Sequence, residues 1–317
     1  MGANEDFYCR QFFQLKVHKA SGDEFQRLFN QVMGYALPGF QSITPWGSWG
    51  DGGNDGWIPD VGHYFQVYGP KPTTSATDSE TMALKKAIDD FDKLPEKWQD
   101  VRRYSFVMND RFQGIPAPIA SALQKLEKDK SLKSARGFPM QELMAFFMQL
   151  SLDKRQDIIG GIPDADLSFI DPREVAELLK SLADNADNRL TFLTDKVPDL
   201  DEKIMFNGLT DPVSAKLKVL CYQVSLIDEF LDARDFGLRQ AIAQEIRDYY
   251  QQSKVDIPDG LQDAGNRRYF WLVEKLIPPT VTHPHSLGAY RVAAELVIAK
   301  YFETCDAYDH PASTATT

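Results

Sequence analysis

Long apolar runs are missing from this chain. No stretch of 18 apolar residues occurs in its 317 residues, which excludes a spanning helix. The first residues, MGANEDFYCRQFF, are acidic before they are apolar, which is not the order of a secretory leader. Cysteine is scarce as well. Cys9, Cys221 and Cys305 lie far apart, and an odd, sparse set argues against a disulfide framework and against a zinc cluster. A reducing cytoplasm is the expected setting, with no membrane involved. No repeat of fixed period is evident. Excess positive charge is also lacking: the net charge is −11. A protein that grips nucleic acid by bulk charge is basic, because affinity comes largely from releasing phosphate counterions. The deficit is uneven. Residues 1–140 hold 17 Lys+Arg and 17 Asp+Glu, so the remainder carries the whole imbalance. Contact with nucleic acid is therefore expected through the first half or with a partner's help.

What is present is ordinary globular material, 43% hydrophobic and 26% charged, enough for one large or two ordinary domains. Ser21-Gly22-Asp23-Glu24 has the form of a capping box. Phe25, Leu28, Phe29, Val32 and Met33 follow at helical spacing and predict one buried stripe, ended by Gly34 and Pro38. The glycine-rich stretch after it, through Gly56, opposes a regular helix. Strands are expected over 63–68 and 101–108, and helices over 79–94 and from 115 onward. That mixture predicts a small α/β layer in residues 1–136. From 137 to 305 the pattern is helical only. One face of 212–232 carries Val213, Leu217, Leu220, Val224, Ile227 and Leu231, and 286–304 is apolar on most sides, as a central helix would be. Residues 306–317 are expected to form a flexible tail.

The densest chemical signal is Gly50-Asp51-Gly52-Gly53-Asn54-Asp55-Gly56, followed by a strand bearing Gln66 and Tyr68. As an EF-hand loop it fails, because Gly62 stands where the bidentate Glu belongs. As a P-loop it lacks the Gly-Lys-Ser/Thr ending. The plain alternative is a glycine-rich turn into a hairpin, with Asp55-Gly56 as turn residues.

The order of capped helix, glycine-rich loop, Asp and strand with Gln-x-Tyr resembles the Mrr-like branch of the restriction-endonuclease fold, the PD-(D/E)xK superfamily. The resemblance makes Asp55 the metal-binding aspartate and Gln66 the second ligand position, with Phe25-Gln26 in place of the family's Phe-Glu pair. It implies Mg²⁺ or Mn²⁺ as cofactor, with Asp51 as possible support. Strand residues two apart share a face, so positions 66 and 68 would reach one site. Tyr68 stands where the family has lysine, and Lys71 is the nearby candidate to supply the missing ammonium. Phe-Gln in the helix, Asp-x-x-x-Asp-Gly, Phe-Gln-Val-Tyr-x-Pro and a later strand ending Asn-Asp together resemble effector subunits of ABC-ATPase-containing three-component, Lamassu-like anti-phage systems. That resemblance implies a nuclease-like N-terminal domain joined to a helical assembly domain, with an ABC-type ATPase complex or other defence subunits as partners. A homo-oligomer is a base-rate expectation.

Other residues have simpler readings. Glu24 is accounted for by the capping box. His63 is out of phase with Gln66 and should face the other side of its strand. His283 and His285 have no third ligand nearby. Lys125, Lys128, Lys130, Lys133 and Arg136 are interrupted by Glu127 and Asp129, as on a solvated helix face, yet they are the first place to look for DNA phosphate contacts. Trp46, Trp49 and Trp57 would stack on a base or shield the loop. With Asp51 and Asp55 they also raise a carbohydrate-active reading, but a glycosidase needs carboxyl groups across a sugar-sized gap and these two sit close in sequence. The leading expectation is a metal-dependent DNA endonuclease effector. The rival is an inactive nuclease-fold subunit acting as a DNA- or protein-binding adaptor, which the missing lysine favours.

Overall fold

In the computed structural model the described residues are 3–71, 76–163, 170–185, 199–232, 236–304 and 307–311. Two compact units divide the chain: Phe12–Ile159, and Met1–Gln11 with Gly160–Thr317. Helix α1 (Ala3–Lys19) begins in the second unit and belongs to the first from Phe12 onward. This helix was not expected. Its apolar residues serve two cores, so no single stripe marks it.

The unit Phe12–Ile159 is an α/β layer. Helix α2 (Gly22–Ala36) buries Phe25, Leu28, Phe29, Val32 and Met33, the stripe its spacing predicts. The capping box does not form. Ser21 makes no side-chain cap, because backbone groups satisfy the first turn. Gly22 N donates to Gly69 O at 2.8 Å, and the Ser21 carbonyl accepts from Glu24 N and Phe25 N. Glu24 is exposed.

Next come β1 (Gln41–Ser42), β2 (Gly56–Ile58), β3 (His63–Tyr68), α3 (Ala76–Lys97), β4 (Arg103–Met108), α4 (Ala117–Asp129), β5 (Ser134–Phe138), α5 (Met140–Gln149) and α6 (Leu152–Ile159). The strands lie in the order β1-β2-β3-β4-β5. The first three form an antiparallel meander; β3, β4 and β5 are parallel neighbours. Parallel pairs need a crossover, and α3 and α4 supply the two here. Strand β3 is covered on both faces, as parallel strands usually are. Tyr64 joins the core under α3 and α4 with Ala87, Phe91, Tyr104 and Leu123. Phe65 points the other way and meets Phe29, Phe40 and Phe138 at centroid distances of 5.7, 5.8 and 6.3 Å.

Three boundaries differ from expectation. The β2–β3 turn is made by Pro59-Asp60-Val61-Gly62, with Gly62 at φ +58°. Asp55-Gly56 therefore lead into β2 and do not form the hairpin turn. Strand β5 crosses the expected domain boundary at 136/137, and α5 and α6 belong to the same unit as the sheet. Its sequence, SARGF, has no β-branched residue, so propensity is silent. The segment 212–232 is two helices, separated at Tyr222, which is 90% exposed.

Gly52 and Gly53 are set by α3. A Cβ on Gly53, at φ +78°, would sit 2.1 Å from the Asp90 carbonyl oxygen, and one on Gly52 would sit 2.8 Å from Trp98 Nε1. The glycine run is thus a close approach of backbone to helix.

The helical unit comprises α7 (Pro172–Asn185), α8 (Leu200–Phe206), α9 (Val213–Cys221), α10 (Ser225–Asp232), α11 (Phe236–Asp256), α12 (Ala264–Leu276) and α13 (Pro284–Glu303). Helix α13 is its centre, with Ala293, Ala294, Leu296, Val297 and Ile298 buried. Within that core Glu295 is fully buried, 2.6 Å from Lys216 Nζ and bonded by Tyr8 Oη at 3.3 Å. Burial pushes its carboxyl up, while Lys216 pulls it down. Beyond α13 the chain stays packed for five described residues. Tyr308 is buried against Tyr250 and Phe302 at 4.4 and 4.9 Å, and Asp309 pairs with Lys254 at 2.6 Å. The expected flexible tail is therefore corrected for 307–311; residues 305, 306 and 312–317 lie outside the described residues. Among the described residues no helix is long and apolar enough to cross a membrane.

Two substitutions test these constraints. Gly53→Ala forces a Cβ into α3 at a left-handed position, and urea unfolding should show a loss of at least ~1–3 kcal/mol. Lys216→Met leaves the Glu295 carboxylate buried without its cation; the same measurement should show a loss of about 3–5 kcal/mol.

Candidate functional site

The site is built where the glycine-rich loop meets the sheet. The β2–β3 register pairs Gly56 with Phe65 and Trp57 with Tyr64. Just before β2 the pairing slips by one residue, since Asp55 N reaches the Phe65 carbonyl although Gly56 is the residue paired with Phe65. Asp55 N donates to Phe65 O at 2.9 Å, and Val67 N donates to Asp55 Oδ2 at 2.7 Å. From α2, Gln26 Nε2 donates to Asp55 Oδ1 at 2.7 Å. Gln26 of the Phe-Gln pair is thus wired to the aspartate.

Asp55 is 4% exposed. Burial pushes its carboxyl up to about 6; the Val67 amide and the Lys86 charge oppose this, and the Asp51 and Asp90 charges add to it. Gln66 is 1% exposed, and its Oε1 has no hydrogen-bond partner. A buried amide oxygen without a donor is uncommon, because it keeps the full desolvation cost.

Helix α3 supplies groups that the sequence reading passed over. Asp90 is 6% exposed and bridges two lysines, Lys86 and Lys93, at 2.6 Å each. Their i,i+4 and i,i+3 spacing was visible in the sequence, but nothing there tied that helix to the glycine loop. The fully buried Tyr104 on β4 registers both charges: burial first, then Asp90 and Asp55, drive its phenol well above the ordinary range.

The remaining candidates fall as follows. Asp51 Oδ1 accepts from Gly53 N at 2.8 Å and shapes the loop. Tyr68 is half-buried and stacks on Phe106 at 6.1 Å, so it packs where the strand lysine was expected to act. Lys71 is exposed, past the end of β3. The basic cluster is not one face. Lys125 and Lys128 lie on α4, Lys130 and Lys133 lie in the connection to β5, and Arg136 lies on β5. Lys130 pairs with Asp92 at 3.1 Å, and Arg136 holds Glu142 through two bonds of 2.7 Å. His63 faces away from Gln66. It bonds Ser105 Oγ at 2.9 Å, and burial, then Arg103 and Arg136, lower it to about 4. Trp57 packs between Tyr64 and Trp98, while Trp46 is 83% exposed. The side chains of Trp49 and His285 lie outside the described residues.

Among the described residues no group of three or more His, Cys, Asp or Glu is arranged to hold a metal. The donor set at Asp55 and Gln66 is oxygen only, one carboxylate and one unsatisfied amide carbonyl. That suits a hard divalent cation that retains most of its waters.

Residues 173–309, all in the helical unit, match the family model described as C-terminal domain 10 of the ABC-three component (ABC-3C) systems. No curated protein and no solved structure matches the chain.

The Asp55 carboxyl makes a pH test. Its native pKa of about 6 lies above the ordinary 3.8, so between those values the folded state holds a proton that the unfolded chain has released. Stability from this group is fullest below the unfolded value and declines as pH rises toward 6. Relative to Asp55→Asn, which cannot titrate, unfolding free energy should fall by roughly 2–3 kcal/mol between pH 4 and pH 7. Parallel pH profiles of the two proteins would contradict the burial of a charge here.

Proposed function

We propose that the chain is a subunit of an ABC-three component, defence-type system, and that its α/β unit is a Mg²⁺-dependent DNA nuclease centre operating with partner subunits. The match of 173–309 to a component domain supports the first part and implies those partners. The second part rests on one observation: Asp55, held by Gln26 and the Val67 amide, is bonded to the residue next to a buried Gln66 whose side-chain oxygen lacks a donor.

In this reading Asp55 and Gln66 would hold the cation. Bound there, Mg²⁺ would supply an activated water and neutralise charge on the scissile phosphate. Gln26 and the Val67 amide orient the Asp55 carboxylate. Lys86, whose charge acts on Asp55, is a second candidate beside Lys71 for the source of the ammonium. Its Nζ would shift from Asp90 toward a phosphate oxygen, leaving Lys93 to neutralise Asp90.

A second reading, the adaptor, is favoured by a specific observation. Both Asp55 oxygens already accept protein donors, and Tyr68 packs against Phe106. The full chain, alone and with its system partners, incubated with plasmid and Mg²⁺ or Mn²⁺, separates the two. Cleavage lost in Asp55→Ala and reduced at least ~100-fold in Lys86→Ala is expected for the nuclease. Intact plasmid under every condition, with DNA or partner binding retained, establishes the adaptor.

A further inference from the structure

At the end of β4 the chain makes a turn that costs conformational freedom and is held from several sides. Arg111 and Phe112 are consecutive left-handed residues, at φ +47° and +65°, and neither is glycine. Asn109 anchors the turn by donating to Val17 O and Ala20 O at 2.8 and 2.9 Å. Asp110 Oδ1 accepts from Phe112 N and Met140 N at 2.9 and 3.3 Å, and Gln141 donates to Phe112 O at 2.9 Å. Such over-determined strain concentrates where a side chain must be aimed.

The side chain so aimed is Arg111. It is half-buried, and among the described residues it makes no ion pair. Its Nη2 donates to Pro70 O at 2.9 Å, and its buried Nε has no partner. A guanidinium carries five donors. Burying it without an anion is unfavourable, and burial indeed lowers its pKa. The planar fork matches a phosphate group in two-point geometry.

Its place selects the ligand. Asn109 N bonds Tyr68 O, and Arg111 bonds Pro70 O, so the turn sits where β3 leaves the sheet. Val67, whose amide holds Asp55, is three residues earlier, at most ~11 Å along the backbone. Exposed Lys71 follows Pro70 and adds charge at this end. We propose that Arg111 is a phosphodiester-binding residue that grips a nucleic-acid backbone a few nucleotides from the Asp55–Gln66 centre. The ligand class rests on the nuclease-fold reading above; the anion site itself rests on the turn and its guanidinium.

Duplex binding by the full chain, followed by fluorescence anisotropy without divalent cation between 50 and 200 mM salt, tests this apart from cutting. Arg111→Ala should weaken binding about 10-fold at low salt and reduce the slope of log K against log salt by about one, in wild-type and Asp55→Ala backgrounds alike. Arg111→Lys, which keeps the charge and protects against a folding defect, should restore the slope but not the full affinity. An unchanged affinity and slope in Arg111→Ala overturns the assignment, as does a wild-type chain that binds no duplex at 50 mM salt. If wild type never cuts DNA yet the Arg111 effect persists, the nuclease reading falls and this inference stands.

Discussion

The Asp55 carboxylate is the point on which the α/β unit turns. One oxygen is held by Gln26 of α2 and the other by the Val67 amide of β3, while the residue itself leads into β2. Three elements are therefore oriented by a single side chain. The glycine loop before it must approach α3 closely enough to exclude a Cβ at Gly53. These two requirements fix the path from α2 to β3. They also bring Lys86 and Asp90 of α3 into the electrostatic field of Asp55, with Lys93 paired to Asp90.

The helical unit is organised on a comparable principle with different chemistry. Its centre is α13, whose apolar positions form the core and whose Glu295, Arg291 and Lys300 are each paired. Glu295 meets Lys216, Arg291 meets Glu274 at 2.6 Å, and Lys300 meets Asp228 at 2.8 Å. Buried ion pairs rarely add net stability over apolar packing, because desolvation offsets the Coulombic gain. Breaking one, however, leaves a bare charge. Such pairs therefore penalise misregistered helices, and a bundle centred on one helix has few other means of fixing register.

Much of the α/β unit was readable from residue order. The α2 stripe, β3, α3, β4 and α4 follow from periodicity and stop signals, and the side of β3 that His63 occupies follows from alternation. The link between Gln26 and Asp55 was visible only through a resemblance. What the sequence hid has physical reasons. Helix α1 divides its apolar residues between two units, which erases a single stripe. Strand β5 has no β-branched residue, and its place comes from pairing with β4. The role of Asp55-Gly56 was misread because an Asp-Gly pair has the same local signature in a turn and at a strand start. The contribution of α3 is long-range: Lys86, Asp90 and Lys93 look like a solvated helix face until the glycine loop is laid against them. In the helical unit, Val224 and Leu220 seemed to continue one stripe because two helices meeting at an exposed turn can preserve the phase of a single one.

The energetics of Asp55 and Gln66 bear on which reading of the site is the stronger. At neutral pH the fold holds an ionised carboxylate at 4% exposure and an amide oxygen at 1% exposure without a donor. Either feature alone has a structural explanation, since Asp55 ties three elements together and long side chains sometimes trap an acceptor. Their occurrence together, on Asp55 and on the neighbour of the Val67 amide that holds it, is harder to explain that way. A scaffold needing only the hydrogen bonds to Gln26 and Val67 would leave the neighbouring amide satisfied; here its oxygen stays without a donor. A buried carboxyl pushed up by Asp51 and Asp90, with an acceptor lacking a donor on the residue beside its Val67 partner, is unfavourable without a cation or proton and favourable with one. The adaptor reading accounts for Tyr68 and for the bonded state of Asp55, but it leaves the Gln66 oxygen without a purpose. The metal-dependent reading accounts for that atom and for the raised pKa together, and it turns the protein's least comfortable contact into the basis of its chemistry.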